Sequence, residues 1–285
     1  MDSPSHWQTA RFRLALNRPR VMGIVNATPD SFSDGGRHAS AGAAIAHCEQ
    51  LLREGADLLD IGGESTRPGS QAPGDEEELQ RVLPVLRAAV TMGVPVSVDT
   101  SSPRVMAEAL ALGVDIVNDV RALRRPGALA CVAAHPQAGV CLMHLRGEPD
   151  TMLGFADYGD VLAEVRDFLC ERALAVEAAG VARERIAIDP GIGFAKQPGH
   201  NLALLKRQSE LCGLGWPLLV GWSRKGTLGL LTGRPVAQRS AASVAAALLA
   251  AQRGASILRV HDVAATVDAL KVWQAVETGI IGAAL

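Results

Sequence analysis

The run Ile186-Ala187-Ile188-Asp189-Pro190-Gly191-Ile192-Gly193-Phe194-Ala195-Lys196 passes from β-branched and small residues to a carboxylate, then to a proline and two glycines. Its alternation and β-branching predict a short buried strand over Ile186–Asp189. Pro190 has no N–H to give a central ladder, so the strand ends at Asp189. A carboxylate at the carboxyl end of a buried strand is costly unless something pairs with it. Gly191 and Gly193 allow a backbone to come close to a ligand. One such stretch reads as a polar strand end closed by a turn, but the chain repeats the layout.

Short apolar strands are predicted over residues 21–25, Leu58–Gly62, 94–99, 114–118, 139–144, Ile186–Asp189, 217–221 and 256–259. Helical patterns separate them: 41–54, 75–92, a helix opening at Pro103, Ala128–Ala134, 157–179, 201–211, 237–253 and 262–278. Asp75 is expected to cap a helix whose acidic start, Glu76-Glu77-Glu78, reads as solvated, and Pro103 suits a first turn. Alternating strands and helices imply a parallel sheet. Eight such units within ~250 residues point to an α/β fold of the closed (β/α)8 barrel type. An open doubly wound sheet is the alternative, but it wants a Gly-x-Gly-x-x-Gly after the first strand, which is absent. No linker or low-complexity tract divides the chain. Residues 21–285 read as a single barrel domain, preceded by residues 1–20 as an arm or edge segment.

With 285 residues, 48% hydrophobic and 20% charged, the chain can bury a sizeable core. A net charge of −2 gives no reason to expect a nucleic-acid partner. No apolar run reaches the ~18 residues of a membrane span, and residues 1–20 lack the apolar core of a secretory signal. The five cysteines are scattered, odd in number and without a Cys-x-x-Cys pair. They read as reduced thiols of a cytoplasmic protein.

The active site of a parallel barrel forms at the carboxyl ends of its strands, and those ends are polar almost every time. They carry Asn26, Glu64-Ser65-Thr66-Arg67, Asp99-Thr100, Asn118-Asp119, Met143-His144, Asp189, Ser223-Arg224-Lys225 and Arg259-Val260-His261-Asp262. Asp99, Asn118, Asp189 and Lys225 offer the acceptors and donors that suit a flat heterocycle. Asn26, Thr66, Arg67, Arg259 and His261 suit a multiply charged anion such as diphosphate. An Asn beside a diphosphate also suits Mg²⁺, a cation that prefers oxygen ligands. Singly, each residue has a plainer role: Asp99 as cap of the helix opening at Pro103, Asn118 and Asp119 as turn formers, Lys225 and Arg224 solvated, Arg259 paired with Asp262. Recurrence at one place in every unit favours the functional role. Met143 and His144 stay open between core packing and a ring-stacking wall.

These motifs, with Asn26-Ala27-Thr28-Pro29-Asp30-Ser31-Phe32, Asp60-Ile61-Gly62-Gly63-Glu64-Ser65-Thr66-Arg67-Pro68-Gly69 and Asp189-Pro190-Gly191-Ile192-Gly193-Phe194, resemble the dihydropteroate synthase family from about residue 21 to the C-terminus. The resemblance implies condensation of 6-hydroxymethyl-7,8-dihydropterin diphosphate with 4-aminobenzoate, with Mg²⁺, in a homodimer. It implies a pterin site of Asp99, Asn118, Met143, Asp189, Phe194, Gly221 and Lys225, with Asp99, Asp189 and Lys225 catalytic. It implies diphosphate held by Asn26, Thr66, Arg67, Arg259 and His261, and metal held by Asn26. It implies an aminobenzoate site of Phe32, Thr66, Pro68, Ser223, Lys225 and Gly226.

One departure stands out. The family usually places a serine after the lysine of Ser-Arg-Lys, then a bulky residue; this chain has Gly226 and Thr227. The aminobenzoate carboxylate then falls to backbone N–H groups at a helix start or to the Thr227 hydroxyl. Two other readings compete: a methyltetrahydrofolate:corrinoid methyltransferase on a related barrel, and a non-catalytic pterin-binding homologue. Neither needs the full anion set of Asn26, Arg67, Arg259 and His261.

Overall fold

The computed structural model describes residues 4–27, 36–64 and 73–280. β1 (His6–Gln8) and β2 (Arg13–Ala15) form an antiparallel hairpin. The barrel strands follow as β3 (Arg20–Asn26), β4 (Leu58–Gly62), β5 (Val96–Asp99), β6 (Ile116–Asp119), β7 (Gly139–Met143), β8 (Ile186–Asp189), β9 (Leu219–Val220) and β10 (Ile257–Val260). They make one parallel sheet in the order β8-β7-β6-β5-β4-β3-β10-β9. Its ends meet where Ile188 bridges Leu218 and donates its N–H to the Pro217 carbonyl at 2.9 Å. The expected (β/α)8 barrel is the fold.

Helices connect the strands: α1 (Gly36–Arg53), α2 (Asp75–Ala89), α3 (Pro103–Ala111), α4 (Ala128–Ala134), α5 (Val161–Ala178), α6 (Pro198–Lys206), α7 (Ser209–Cys212), α8 (Gly226–Thr232), α9 (Ser240–Gln252) and α10 (Val263–Thr278). Side chains alternate across each strand. Leu59 and Ile61, Val96 and Val98, and Ile186 and Ile188 point outward and pack with the helices. Met22, Leu58, Ile116, Cys141, Ala187, Leu219 and Ile257 point inward and pack around Trp7 of the hairpin. Trp7 is fully buried, and its indole N–H donates to the Arg185 carbonyl at 2.9 Å. Arg11 ties the hairpin to Asp115, donating from Nε at 2.9 Å. The hairpin thus plugs the amino-terminal end of the barrel and leaves the carboxyl end for chemistry.

Boundaries differ from the expected ones for local reasons. β5 starts at Val96 because Pro95 has no N–H to give a ladder. The helix expected over 201–211 divides into α6 and α7 at Gln208, whose amide turns into the core and donates to the Ala250 carbonyl at 2.8 Å. The sequence reading has a helix start at Gly226 but no helical span after it; α8 is short, and its Gly226, Thr227 and Gly229 are poor helix formers. Its end is a left-handed Gly233 at φ 69°.

Candidate active site

Register places Asn26 beside Gly62, Gly62 beside Asp99, and Asp99 beside Asn118, one row across β3 to β6. Arg259 reaches into this row from β10. Its Nε donates to Asp60 Oδ2 at 2.6 Å and its Nη2 to Asp99 Oδ2 at 2.7 Å. Asn118 Nδ2 donates to the same Asp60 oxygen at 3.2 Å. Asp60 is fully buried, and its Oδ1 has no partner among the described residues. The sequence reading passed over Asp60. The signal was there: a carboxylate inside the apolar strand Leu58–Gly62 demands a buried partner. Burial raises Asp99 above the ordinary carboxylate range and Arg259 opposes that shift. The 2.7 Å contact, with Asp99 still 14% exposed, supports the ionised pair.

Asp189 sits beside Met143 in the β7–β8 register. Its Oδ1 accepts the Gly191 N–H at 2.7 Å. Burial raises its pKa, and that N–H, Lys225 and Arg259 counter the shift. Gly191 has φ +68°, and a Cβ there would run into the His144 carbonyl. A glycine is therefore required where the loop turns back over β7. Lys196 holds this loop from beneath: its Nζ donates to the carbonyls of Gly191 and Phe194, both at 3.0 Å, and lies 2.9 Å from His144 Nδ1. His144 packs edge-on to Phe168 and belongs to this support, not to the barrel mouth. Met143 and Phe194 join one small apolar cluster. Lys225 Nζ lies 4.1 Å from the Phe194 ring centroid. Burial first, then Arg259, brings the Lys225 ammonium down to about 8.

On the other side, the His261 N–H donates to Ser223 Oγ at 3.2 Å, and His261 Nδ1 lies 2.9 Å from that oxygen. Burial, then the cations Arg224 and Arg259, lowers His261 to about 3, so the imidazole is neutral. Arg224 pairs with Asp262, and Arg259 does not. Gly221 faces Arg259, its Cβ direction 3.9 Å from the arginine Cβ. A Cβ on Gly226 would meet nothing within 4 Å. Thr227 is buried, and its Oγ1 accepts from Asn201 Nδ2 at 3.0 Å, so this hydroxyl faces the core. Asp119 turns outward and is a turn former, accepting the N–H groups of Arg121 at 2.8 Å and Leu123 at 2.7 Å. The cap at Pro103 is Ser102, which leaves Asp99 to the mouth.

Phe32, Thr66, Arg67 and Pro68 lie outside the described residues. Among the described residues no group of three His, Cys, Asp or Glu side chains is placed to hold a metal ion. The Asn26 amide is an oxygen donor at the carboxyl end of β3.

Residues 22–261 match the family model described as pterin binding enzyme. The dihydropteroate synthase of Neisseria meningitidis serogroup B is 53% identical over 275 residues, covering 94% of this chain and 96% of its own. The Xanthomonas albilineans dihydropteroate synthase solved with 4-aminobenzoic acid is 56% identical with a TM-score of 0.91, covering 97% of this chain and 99% of its own. The Burkholderia cenocepacia dihydropteroate synthase complexed with 7,8-dihydropteroate is 49% identical with a TM-score of 0.89, covering 98% and 99%. Sequence and architecture agree along nearly the whole length, and this chain belongs to the pterin binding enzymes, as a member of the dihydropteroate synthase family.

Proposed function

We propose that the chain joins 6-hydroxymethyl-7,8-dihydropterin diphosphate to 4-aminobenzoate, giving 7,8-dihydropteroate and diphosphate, a transferase step of folate biosynthesis. The observation that carries this is Arg259 gripped by Asp60 and Asp99 in a mouth that also holds Asn118, Asp189 and Lys225. Asp99, Asn118, Asp189 and Lys225 bind the pterin by its polar edge, with Met143, Phe194 and Gly221 against the ring. Arg259, fixed through Nε and Nη2, keeps its Nη1 group for the diphosphate, where Asn26, His261, Thr66 and Arg67 join it. A neutral His261 donates a hydrogen bond to an anion without bringing a charge of its own.

Cleavage of the carbon–oxygen bond sends the electron pair to the diphosphate and leaves a cation delocalised over the pterin. The carboxylates of Asp60, Asp99 and Asp189 stabilise that cation, and the Arg259 site stabilises the departing anion. The neutral arylamine attacks the methylene carbon, and the resulting anilinium gives up its proton to the departing diphosphate or to solvent water. An aniline is nucleophilic as it stands, which fits a site without a strong general base. Phe32, Thr66, Pro68, Ser223, Lys225 and Gly226 hold the aminobenzoate.

Mg²⁺ fits the donor set in one way: Asn26 supplies a single oxygen, and this cation commonly takes one or two protein ligands with the rest from phosphate and water. Held there, it would neutralise diphosphate charge. Exposed Leu230, Leu231, Val236, Leu249, Val272 and Val276 on and between α8, α9 and α10 support a homodimer through that side. Sedimentation velocity tests it, and a monomer at micromolar concentration rejects it. The described cysteines are all free thiols, which agrees with a cytoplasmic setting. No described helix is long and apolar enough to cross a membrane.

The deciding assay measures diphosphate release from the pterin diphosphate with and without 4-aminobenzoate. Release that depends on 4-aminobenzoate, with dihydropteroate formed in equal amount, is the expected result. Folded protein that binds the pterin but makes no dihydropteroate rejects the reading.

A further inference from the structure

We propose that Arg239 is a positioning residue: seated over Gly229, it holds the left-handed turn at Arg224 and so aims Ser223 and Lys225 into the barrel mouth. The proposal rests on the function proposed above for those two residues.

Arg224 has φ +58°, a conformation that side chains other than glycine rarely adopt. Something must hold it there, and the start of α9 does so from both sides of the residue. The Arg224 N–H donates to Ser243 Oγ at 2.9 Å. The Arg224 carbonyl accepts from Arg239 Nη1 at 3.1 Å, and the Lys225 carbonyl lies 3.5 Å from the same nitrogen. The circuit closes on itself, because Ser243 donates from Oγ at 2.6 Å and from its N–H at 2.8 Å to the Arg239 carbonyl. Arg239 Nε is spent on the Arg234 carbonyl at 3.0 Å, which fixes the plane of the guanidinium.

Gly229 explains how the guanidinium fits. A Cβ at this position would fall within the guanidinium, with Arg239 Nε 2.7 Å away and Cζ and Nη2 nearer still. Gly229 has no positive φ that demands a glycine. A glycine inside a short helix weakens it, so the reason for it here is the space taken by Arg239. The far end of an arginine is flexible, and an added methyl group would displace it without forcing the backbone apart.

The test uses Arg239→Ala, Gly229→Ala, their combination and Arg239→Lys in the full chain. Steady-state kinetics, melting temperature and amide hydrogen exchange are measured for each. Both single alanine variants are expected to raise the KM for 4-aminobenzoate about tenfold, as displacement of a positioned group does. The KM for the pterin diphosphate rises too, through Lys225, but less, because Asp99, Asn118 and Asp189 stand on other strands. Arg239→Lys recovers part of the loss. The combination is no worse than Arg239→Ala alone, since Gly229→Ala acts only by displacing the guanidinium. Exchange at the amides of residues 223–227 speeds up in both single variants. Parent kinetics in both singles, with only the melting temperature lowered, overturn the proposal, and so does an additive combination. Should the parent chain make no dihydropteroate, the function above fails first; unchanged exchange at 223–227 in Arg239→Ala would then overturn this proposal on its own.

Discussion

Arg259 Nε lies 2.6 Å from Asp60 Oδ2, across the barrel from β10 to a carboxylate that has no contact with solvent. Asp60 touches the mouth only through others: it fixes Arg259 from below and receives the Asn118 amide. It is the buried counter-charge that lets a cation stand in the barrel mouth.

Asp60→Asn keeps the shape and removes the charge, so among the described residues Arg259 keeps one directly paired carboxylate, Asp99, in place of two. The expected result is a fall in kcat/KM for the pterin diphosphate of about a hundredfold, the scale seen when a preorganised electrostatic group is lost. Asp60→Ala goes further: Arg259 keeps only its contact with Asp99, and Arg259 Nε and the Asn118 amide lose their acceptor, at a cost of about 1–3 kcal/mol in denaturant unfolding. Parent kinetics in Asp60→Asn would remove Asp60 from the chemistry.

Trp7 closes the opposite end. Its removal leaves a cavity among Met22, Leu58, Ile116 and Ile257 and takes away the indole donor to the Arg185 carbonyl. Trp7→Ala is expected to cost about 3–5 kcal/mol in urea unfolding. The kcat of the folded fraction should stay at the parent value, because the hairpin sits away from the mouth. A large kcat loss at full folding would show that the floor tunes the site.

Glu78, in the first turn of α2, is almost fully buried, and burial, with Glu64 and Asp75 nearby, raises its carboxyl to about 7. The folded pKa lies above the unfolded one. The group's favourable contribution is therefore complete below the unfolded value, near 4.5, and is lost as pH rises through about 7. Glu78→Gln escapes this loss. It should be more stable than the parent at pH 8, by on the order of 2–3 kcal/mol, with the gap closing as pH falls toward 4.5. Chemical unfolding at both pH values measures it, and a gap independent of pH would contradict the buried, protonating Glu78.

The barrel was legible because each strand is a short apolar run and helical patterns alternate with the strands along the chain. Asp99, Asn118, Asp189 and Arg259 could be placed at the mouth because they recur at strand ends. Asp60 could not be placed in that way, since it lies inside an apolar run, and only the shared parity with Gly62 and Asp99 turns it inward. The hairpin left no readable pattern, because three-residue strands show no period and tertiary contact with the barrel floor holds them. The contact of Arg239 with Gly229 was equally hidden: a glycine in α8 gives no hint that a guanidinium occupies its missing side chain.

Gly226 is where this chain departs from the family's usual serine, and Thr227 does not make up the difference because its hydroxyl faces Asn201. A serine side chain at 226 has room, since nothing lies within 4 Å of the Cβ direction, and it replaces a glycine at a helix start, where serine is well tolerated. Gly226→Ser should therefore fold as well as the parent. If the aminobenzoate carboxylate is bound at this corner, the new hydroxyl adds a charge-assisted hydrogen bond. The KM for 4-aminobenzoate and the inhibition constant of a sulfonamide mimic should then both fall about fivefold, since a typical hydrogen bond contributes a net of about 1 kcal/mol. The two constants must move together, because both ligands present an acidic or acidic-like group opposite the arylamine. Unchanged values for both, in a variant with the parent's melting temperature, would place the carboxylate somewhere other than Gly226.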